Sequence, residues 1–295
     1  MADDFGQTVL PPEPHPGPQA ALSRSAVVTL AIGGQGHSCG RERGFYRYAQ
    51  RHLRTAFPSL PTREQCQRHV RQPHAARGAL FLPLVQLLAA QRCASEALDS
   101  SGVPTRAAKR RGAGGRPGRA AMDGSTRRGW YAGVQVLLAV TPWGMSTGFG
   151  CGPASTPEPP LAETSFALRR HRPPGLARGG LPACGPDGVA KGCEGYARHP
   201  GGWRAYGAQV ICPPKRNSRA PWPKRLRRWL AGVRQIVETV YEKLAHTFRL
   251  DRERPHDLSG FQARLAAKIA LHNFCIWVND QRGRPRLAFT DLVDW

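Results

Sequence analysis

The stretch "RRWLAGVRQIVETVYEKLAHTF", residues 227–248, decides how the rest of the chain is read. Trp229, Val233, Ile236, Val237, Val240, Leu244 and Phe248 recur at three- and four-residue steps, the spacing of a helix with one buried stripe. Arg234 and Glu238 stand four apart on another side of that helix, and the stripe fixes which way both point. An exposed ion pair at this spacing is worth only about 0.3 to 0.5 kcal/mol. That reading accounts for the pair but not for the run in front of it, "PPKRNSRAPWPKRLRRW", where Trp222 and Trp229 punctuate seven cations between Lys215 and Arg228. Aromatic rings among Lys and Arg can stack on bases while the charges hold phosphates.

The charge of the whole chain points the same way. Its 295 residues carry 43 Lys and Arg against 20 Asp and Glu, a formal net charge of +23. Residues 238–295 hold 9 basic and 8 acidic residues, so +22 of the total lies in front of them. A clustered positive field attracts a polyanion, of which nucleic acid is the commonest. A genome rich in Arg, Ala, Gly and Pro codons would also raise the charge, but by scattering it. The eight cysteines contain no close C-x-x-C pair and are too dilute for a disulfide scaffold, which fits a reducing cytoplasm. The first residues, "MADDFGQTVLPPEPHPGP", lack the basic and apolar regions of a signal peptide, and no apolar run approaches the ~18 residues that cross a bilayer. A soluble intracellular protein with no membrane partner is expected.

Residues 1–20 read as a flexible tail and residues 21–93 as a basic helical region, the expected DNA-binding part. In that region "SAVVTLAI", "RGFYRYAQRHLRTAF", "PTREQCQRHVRQ" and "ALFLPLVQLLAAQRCA" are the helical segments, with Thr62 and Gln65 in capping-box relation. Residues 94–295 form the second domain. Here "EALDSSG" predicts a short strand, and "WYAGVQVLLAVT" and "GMSTGFG" a hairpin turning at "TPWG". "LAETSFALRR" predicts a helix, "GAQVICPP" a buried strand, and two long helices, 223–248 and 259–279, finish the chain, the second opening on a Ser259 and Gln262 capping box. This order suits a mixed α/β layer fold. The segment 104–129 carries eight Lys or Arg and one acid, Asp123, and is too rich in glycine for a strand. It is a loop, either disordered or ordering against phosphates.

Cutting a phosphodiester with two metal ions needs carboxylates from separate segments converging on hard cations such as Mg²⁺. Asp99 closes a strand-like segment and is followed by the small residues Ser100, Ser101 and Gly102, which leave room for a substrate. Glu238 lies in the helix described above. No G-x-x-x-x-G-K-[ST] and no H-E-x-x-H occurs, "GAGGRPG" lacks dinucleotide-loop spacing, and His272 reads as a core residue of an apolar helix.

Together "LDSSGVPTR", "RRGWYAGVQVLLAVTPWG", "GAQVICPPKRNS", "RRWLAGVRQIVETVYEKL" and "GFQARLAAKIALHNFCIWVN" resemble insertion-sequence transposases of the DDE superfamily, and "SLPTREQCQRHVR" and "RGFYRYAQRHLRTAFPSLP" resemble their helical N-terminal region. The likeness covers roughly residues 21–295, and the R-x-x-x-E unit inside a helix is its most specific part. It implies a ribonuclease H-like mixed sheet flanked by helices, and a DNA transposase that binds element ends, cuts with metal-activated water and lets the freed 3′-hydroxyl attack target DNA. Mg²⁺ or Mn²⁺ is the implied cofactor, with Asp99, Asp187 and Glu238 as catalytic and metal-binding acids. Arg110, Arg111, Lys215, Arg216, Lys224, Arg228 and Arg234 are the implied DNA contacts. A homodimer on double-stranded DNA in the bacterial cytoplasm, associated with the nucleoid, completes the expectation.

The sequence departs from the family at its second acid. Where a "D-K-G-F-x-G"-like turn is expected it reads "GPDGVAKGCEG", with Ala190 before Lys191 and Gly192, Asp187 three residues upstream and Glu194 nearby. An odd offset along a strand turns a side chain to the opposite face. "GFGCGPAS", residues 148–155, and the proline-rich stretch 157–186 are also irregular for the family. The alternative expectation is therefore a DNA-binding remnant of a transposase with impaired catalysis. A general basic RNA-packaging protein would have no use for a helix that positions an Arg and a Glu this specifically.

Overall fold

A computed structural model of the chain describes residues 22–37, 42–71, 85, 93, 95–105, 122–126, 129–170, 187–190, 210–211, 222–254 and 257–293. The tail 1–20, Arg110, Arg111, Lys191, Glu194, Lys215 and Arg216 lie outside them. The described residues belong to two compact units, Met1–Leu84 with Ser259–Trp295, and Val85–Leu258.

The first unit is helical: α1 (Arg24–Gly36), α2 (Glu42–His52), α3 (Arg63–Arg71) and the last helix of the chain, named α6 below. Ser23 caps α1 through its side chain, which accepts from the Ala26 amide. Leu22, Leu30 and Ala49 form a small core, joined by Ala26, Val27, Phe45, Leu53, Phe57 and Leu60. The capping box at α3 forms as expected: the Thr62 amide donates to Gln65 Oε1 at 3.1 Å and the Gln65 amide to Thr62 Oγ1 at 3.4 Å.

The second unit is a mixed sheet with helices. Its elements are β1 (Ser95–Pro104), β2 (Met122–Thr126), β3 (Gly129–Val140), β4 (Ser146–Pro153), α4 (Glu158–Arg170), β5 (Asp187–Ala190), β6 (Val210–Ile211) and α5 (Lys224–Glu242). α5 runs on through a π-helical turn, Lys243–Thr247, and α6 (Leu258–Gln281) follows. β1 is central, paired antiparallel to β3 and parallel to β5, which pairs parallel to β6. β3 also pairs antiparallel with β2 and with β4. The β3–β4 hairpin turns where "TPWG" predicts, closed by Thr141 N–H to Met145 O at 2.8 Å, with Gly144 at φ 92°.

Three sequence expectations change. Part of the basic segment is not loop: Met122–Thr126 is strand β2, and its Gly124 fits because a Cβ there would meet Ala154 Cβ at 2.8 Å and the Tyr131 ring at 2.9 Å. The last long helix groups with the N-terminal helices rather than with the sheet. Arg264 of α6 bonds Glu42 of α2 at 3.0 Å, and a Cβ on Gly36 of α1 would meet Leu271 at 3.2 Å. α6 begins at Leu258, which puts Ser259 inside the helix rather than at its cap. His272 is fully buried, its ring edge-on to Phe289 at 5.2 Å, in keeping with a core residue.

The "GFGCGP" stretch is regular strand, and Gly150 and Gly152 within it stand where a Cβ would clash. Gly148, Gly150 and Gly152 pair with Ala139, Leu137 and Gln135, alternate positions that share one face of the sheet. α4 lies on that face so closely that a Cβ on Gly150 would stand 2.2 Å from the Leu161 carbonyl oxygen. Gly150→Ala must push α4 off the sheet and should cost about 2 to 3 kcal/mol, read as a lower urea midpoint at unchanged m-value.

Candidate functional site

Asp99 lies on the other face. It neighbours Ser100, whose β3 partner Leu137 pairs with Gly150, so Asp99 points away from α4. α5 packs on this second face. Its stripe buries Val237, Val240, Leu244 and Phe248 completely, and the π-helical turn, closed by Phe248 N–H to Lys243 O at 3.0 Å, carries the chain between the last two. The stripe does not extend to the N-terminal end as its periodicity suggests. Residues 223–229 are exposed all round, with Trp229 at 43 % and Leu226 at 38 %. Apolar spacing reports what a helix is able to bury, not where its cover begins.

Arg234 sits where α5 meets the sheet and joins the two acids. One guanidinium nitrogen, Nη2, stands 3.8 Å from Asp99 Oδ2 and 3.5 Å from Glu238 Oε1. Laid end to end these distances place the two carboxylate oxygens no more than about 7 Å apart, inside the roughly 10 Å expected of acids serving metals ~3.5 to 4 Å from each other. The Asp99 side chain is 16 % exposed, that of Arg234 20 % and that of Glu238 52 %, so the cluster opens to solvent on the Glu238 side.

Tyr241, one turn after Glu238, fixes this geometry. Its hydroxyl donates into the β1–β3 ladder, 2.6 Å from the Val136 carbonyl oxygen and 3.1 Å from that of Asp99 itself. The helix carrying Glu238 is thereby tied to the backbone of the strand carrying Asp99. Burial, then the nearby charge of Asp99, then that of Glu158, hold the phenol well above its ordinary range. The folded protein therefore keeps this proton at pH values where the unfolded chain releases it near 10. The contribution to stability is complete below pH 10 and falls as pH rises past it. Tyr241→Phe should lose about 1 to 2 kcal/mol at neutral pH and should lack this part of the alkaline fall, measured by urea unfolding between pH 8 and 11. Sequence reading missed Tyr241, whose only signal is the E-x-x-Y spacing that stacks it one turn from Glu238.

Asp187, the expected second acid, is set back along the sheet. The parallel register puts Asp187 opposite Ser95 and Ala190 opposite Leu98. Alternate strand positions share a face, so 187 and 189 have the parity of Asp99, and 190, expected to mark the second acid's place, has the other. Asp187 is four residues behind Asp99 in register, roughly 13 Å along the strand. Among the described residues no group of three or more His, Cys, Asp or Glu gathers as a metal site. Of the expected DNA contacts, Lys224 and Arg228 are exposed on the first turns of α5 beside Arg225 and Arg227, and Arg234 stands between the acids.

Comparison with protein families, curated proteins and solved structures found no match. Among the described residues no helix is long and apolar enough to cross a membrane.

On the opposite face a polar chain runs from Tyr131 to Gln135 (2.7 Å), Ser100 (2.8 Å) and Glu158 (2.5 Å). It ties β3 and β1 to the first turn of α4 and holds together the strand pair on which Asp99 sits.

Proposed function

We infer that the chain is a DNA transposase of the DDE type with a ribonuclease H-like core. The observation that carries this reading is the meeting of Asp99, Arg234 and Glu238 on the helix-covered face of a mixed sheet. Sequence separates these residues widely, and the pairing of a strand acid with a helical R-x-x-x-E is what the resemblance calls for. A sheet with its first strand central, a hairpin on one side and parallel strands on the other, with α4 and α5 on opposite faces, supports the same core.

The donor set fits a hard divalent cation, for carboxylate oxygens are the ligands Mg²⁺ and Mn²⁺ prefer. Asp99 and Glu238 would hold it. When bound, such an ion stabilises charge on the attacking and leaving oxygens of a phosphodiester displacement. Lys224, Arg225, Arg227 and Arg228 bind the phosphate backbone leading to the acids, and Trp229 offers a stacking surface on the same turns. Tyr241 keeps Glu238 in register with Asp99.

The test is nicking of duplex DNA carrying the element's ends by the purified full chain with Mg²⁺ or Mn²⁺, and its loss with a chelator. A metal-independent result, or no DNA binding at all, overturns the reading.

The register of β5 favours a second reading, a transposase remnant that binds DNA and cuts it poorly, because Asp187 lies far behind Asp99. Position 189 has the parity of Asp99 and pairs with Ala97, two residues before it. Under this reading Val189→Asp should raise metal-dependent nicking by roughly tenfold or more, Ala190→Asp should not, and Asp187→Ala should change little. Loss of nicking in Asp187→Ala would instead make Asp187 the second ligand.

A further inference from the structure

Arg234 occupies the space between the two acids. Its Nη2 contacts, 3.8 Å to Asp99 and 3.5 Å to Glu238, are both longer than the 2.7 to 3.2 Å of a good N–H···O bond. The guanidinium is held there by charge, shared between two carboxylates, and not by directed bonds to either. Among the described residues its buried Nε finds no hydrogen-bond partner, so the side chain leaves part of its donor capacity unused in this position. Both features describe a cation that another anion can recruit.

We propose that Arg234 is a placeholder cation whose transfer from the acid pair to a DNA phosphate opens the pair to the divalent metal, so that metal and DNA bind cooperatively. The proposal rests on the reading of Asp99 and Glu238 as metal ligands. A divalent ion approaching these carboxylates meets the charge of Arg234 at contact range, and the repulsion weakens its binding. Phosphate offers a guanidinium two parallel N–H···O bonds, better than the two long contacts it leaves. The cations of the first turns of α5, Lys224, Arg225, Arg227 and Arg228, deliver a phosphate backbone to the same helix. Once Arg234 has moved, its charge no longer stands between the acids, and a divalent cation takes that place. Linkage makes the effect reciprocal: DNA tightens metal binding by the factor by which metal tightens DNA binding. The free protein is thereby kept from holding a charged metal centre before a strand is in place.

The experiment is a Mn²⁺ titration of the full chain, read from the electron paramagnetic resonance signal of free Mn²⁺, with and without a short duplex. The double variant Asp99→Asn, Glu238→Gln with duplex gives the background from ions bound to DNA. For wild type, duplex should tighten Mn²⁺ binding on the order of tenfold. Arg234→Gln should bind Mn²⁺ without DNA on the order of tenfold more tightly than wild type, with little further gain from duplex. Arg234→Lys, which keeps the charge, should bind Mn²⁺ without DNA as weakly as wild type. An Arg234→Gln chain with unchanged or weaker Mn²⁺ affinity overturns the proposal, and so does a wild-type affinity that duplex leaves unchanged. The second comparison stands even if Arg234→Gln fails to fold. The two failures separate cleanly: a double acid variant that binds Mn²⁺ like wild type refutes the metal site itself, whereas one that loses Mn²⁺ while Arg234→Gln gains nothing refutes only the placeholder role.

Discussion

Glu238→Gln and Asp99→Asn should each lower metal-dependent nicking of duplex DNA at least about 100-fold while changing duplex affinity, measured without divalent metal, by no more than about twofold. Each substitution keeps the shape of the side chain and removes one negative charge from a pair whose oxygens lie within about 7 Å, so the site loses a ligand without losing its packing. Under the proposed function phosphate contact falls chiefly to the exposed cations of the first turns of α5, so binding should be spared. Gel shift and nicking assays on the same preparations separate the two effects. Equal loss of binding and nicking would make the acids structural. The half-exposed Glu238 can lose its charge at little cost in stability, since the ion pair it forms with Arg234 is of the weak surface class.

DNA affinity should fall by a factor of roughly 10³ or more between 50 and 200 mM salt. The segments 104–129 and 215–228 hold eight and seven Lys or Arg, and each phosphate neutralised releases condensed counterions into bulk salt. Lys224→Ala and Arg228→Ala should each reduce the salt slope by about one contact and weaken all sequences alike, as backbone contacts do. A flat salt response would remove electrostatics from the account and leave the net charge of +23 as a matter of composition alone.

The α5 stripe, the β3–β4 hairpin and the capping box at Thr62 were legible because each is written in local spacing: three and four residues, two residues, and three residues. What spacing leaves open is which surface an element meets. The periodic residue Trp229 is exposed, Gly150 of β4 serves a helix packed on it rather than marking irregularity, and α6 groups with helices more than two hundred residues away in sequence. The acid pair was legible in part. Asp99 and Glu238 were singled out by residue type and context, but that one arginine touches both depends on how α5 lies across β1, a tertiary fact. For the second acid the three-residue offset from Ala190 predicts that Asp187 faces away from the site, and the register overturns this, giving the parity of Asp99 to position 187 and not to 190. Strand parity is local, whereas pairing register is set by the partner strand.

If Asp99 and Glu238 form one cation site that serves DNA, an ion bound there lies against both residues. Iron-directed cleavage tests it most directly: Fe²⁺ is bound to the full chain in the presence of duplex, ascorbate and peroxide generate hydroxyl radicals at the ion, and the cut positions in the protein are mapped. Cuts should cluster around residues 99 and 238, be suppressed by excess Mg²⁺ and be absent from the double variant Asp99→Asn, Glu238→Gln. Cuts confined to other segments, or a pattern that the double variant leaves unchanged, would contradict it.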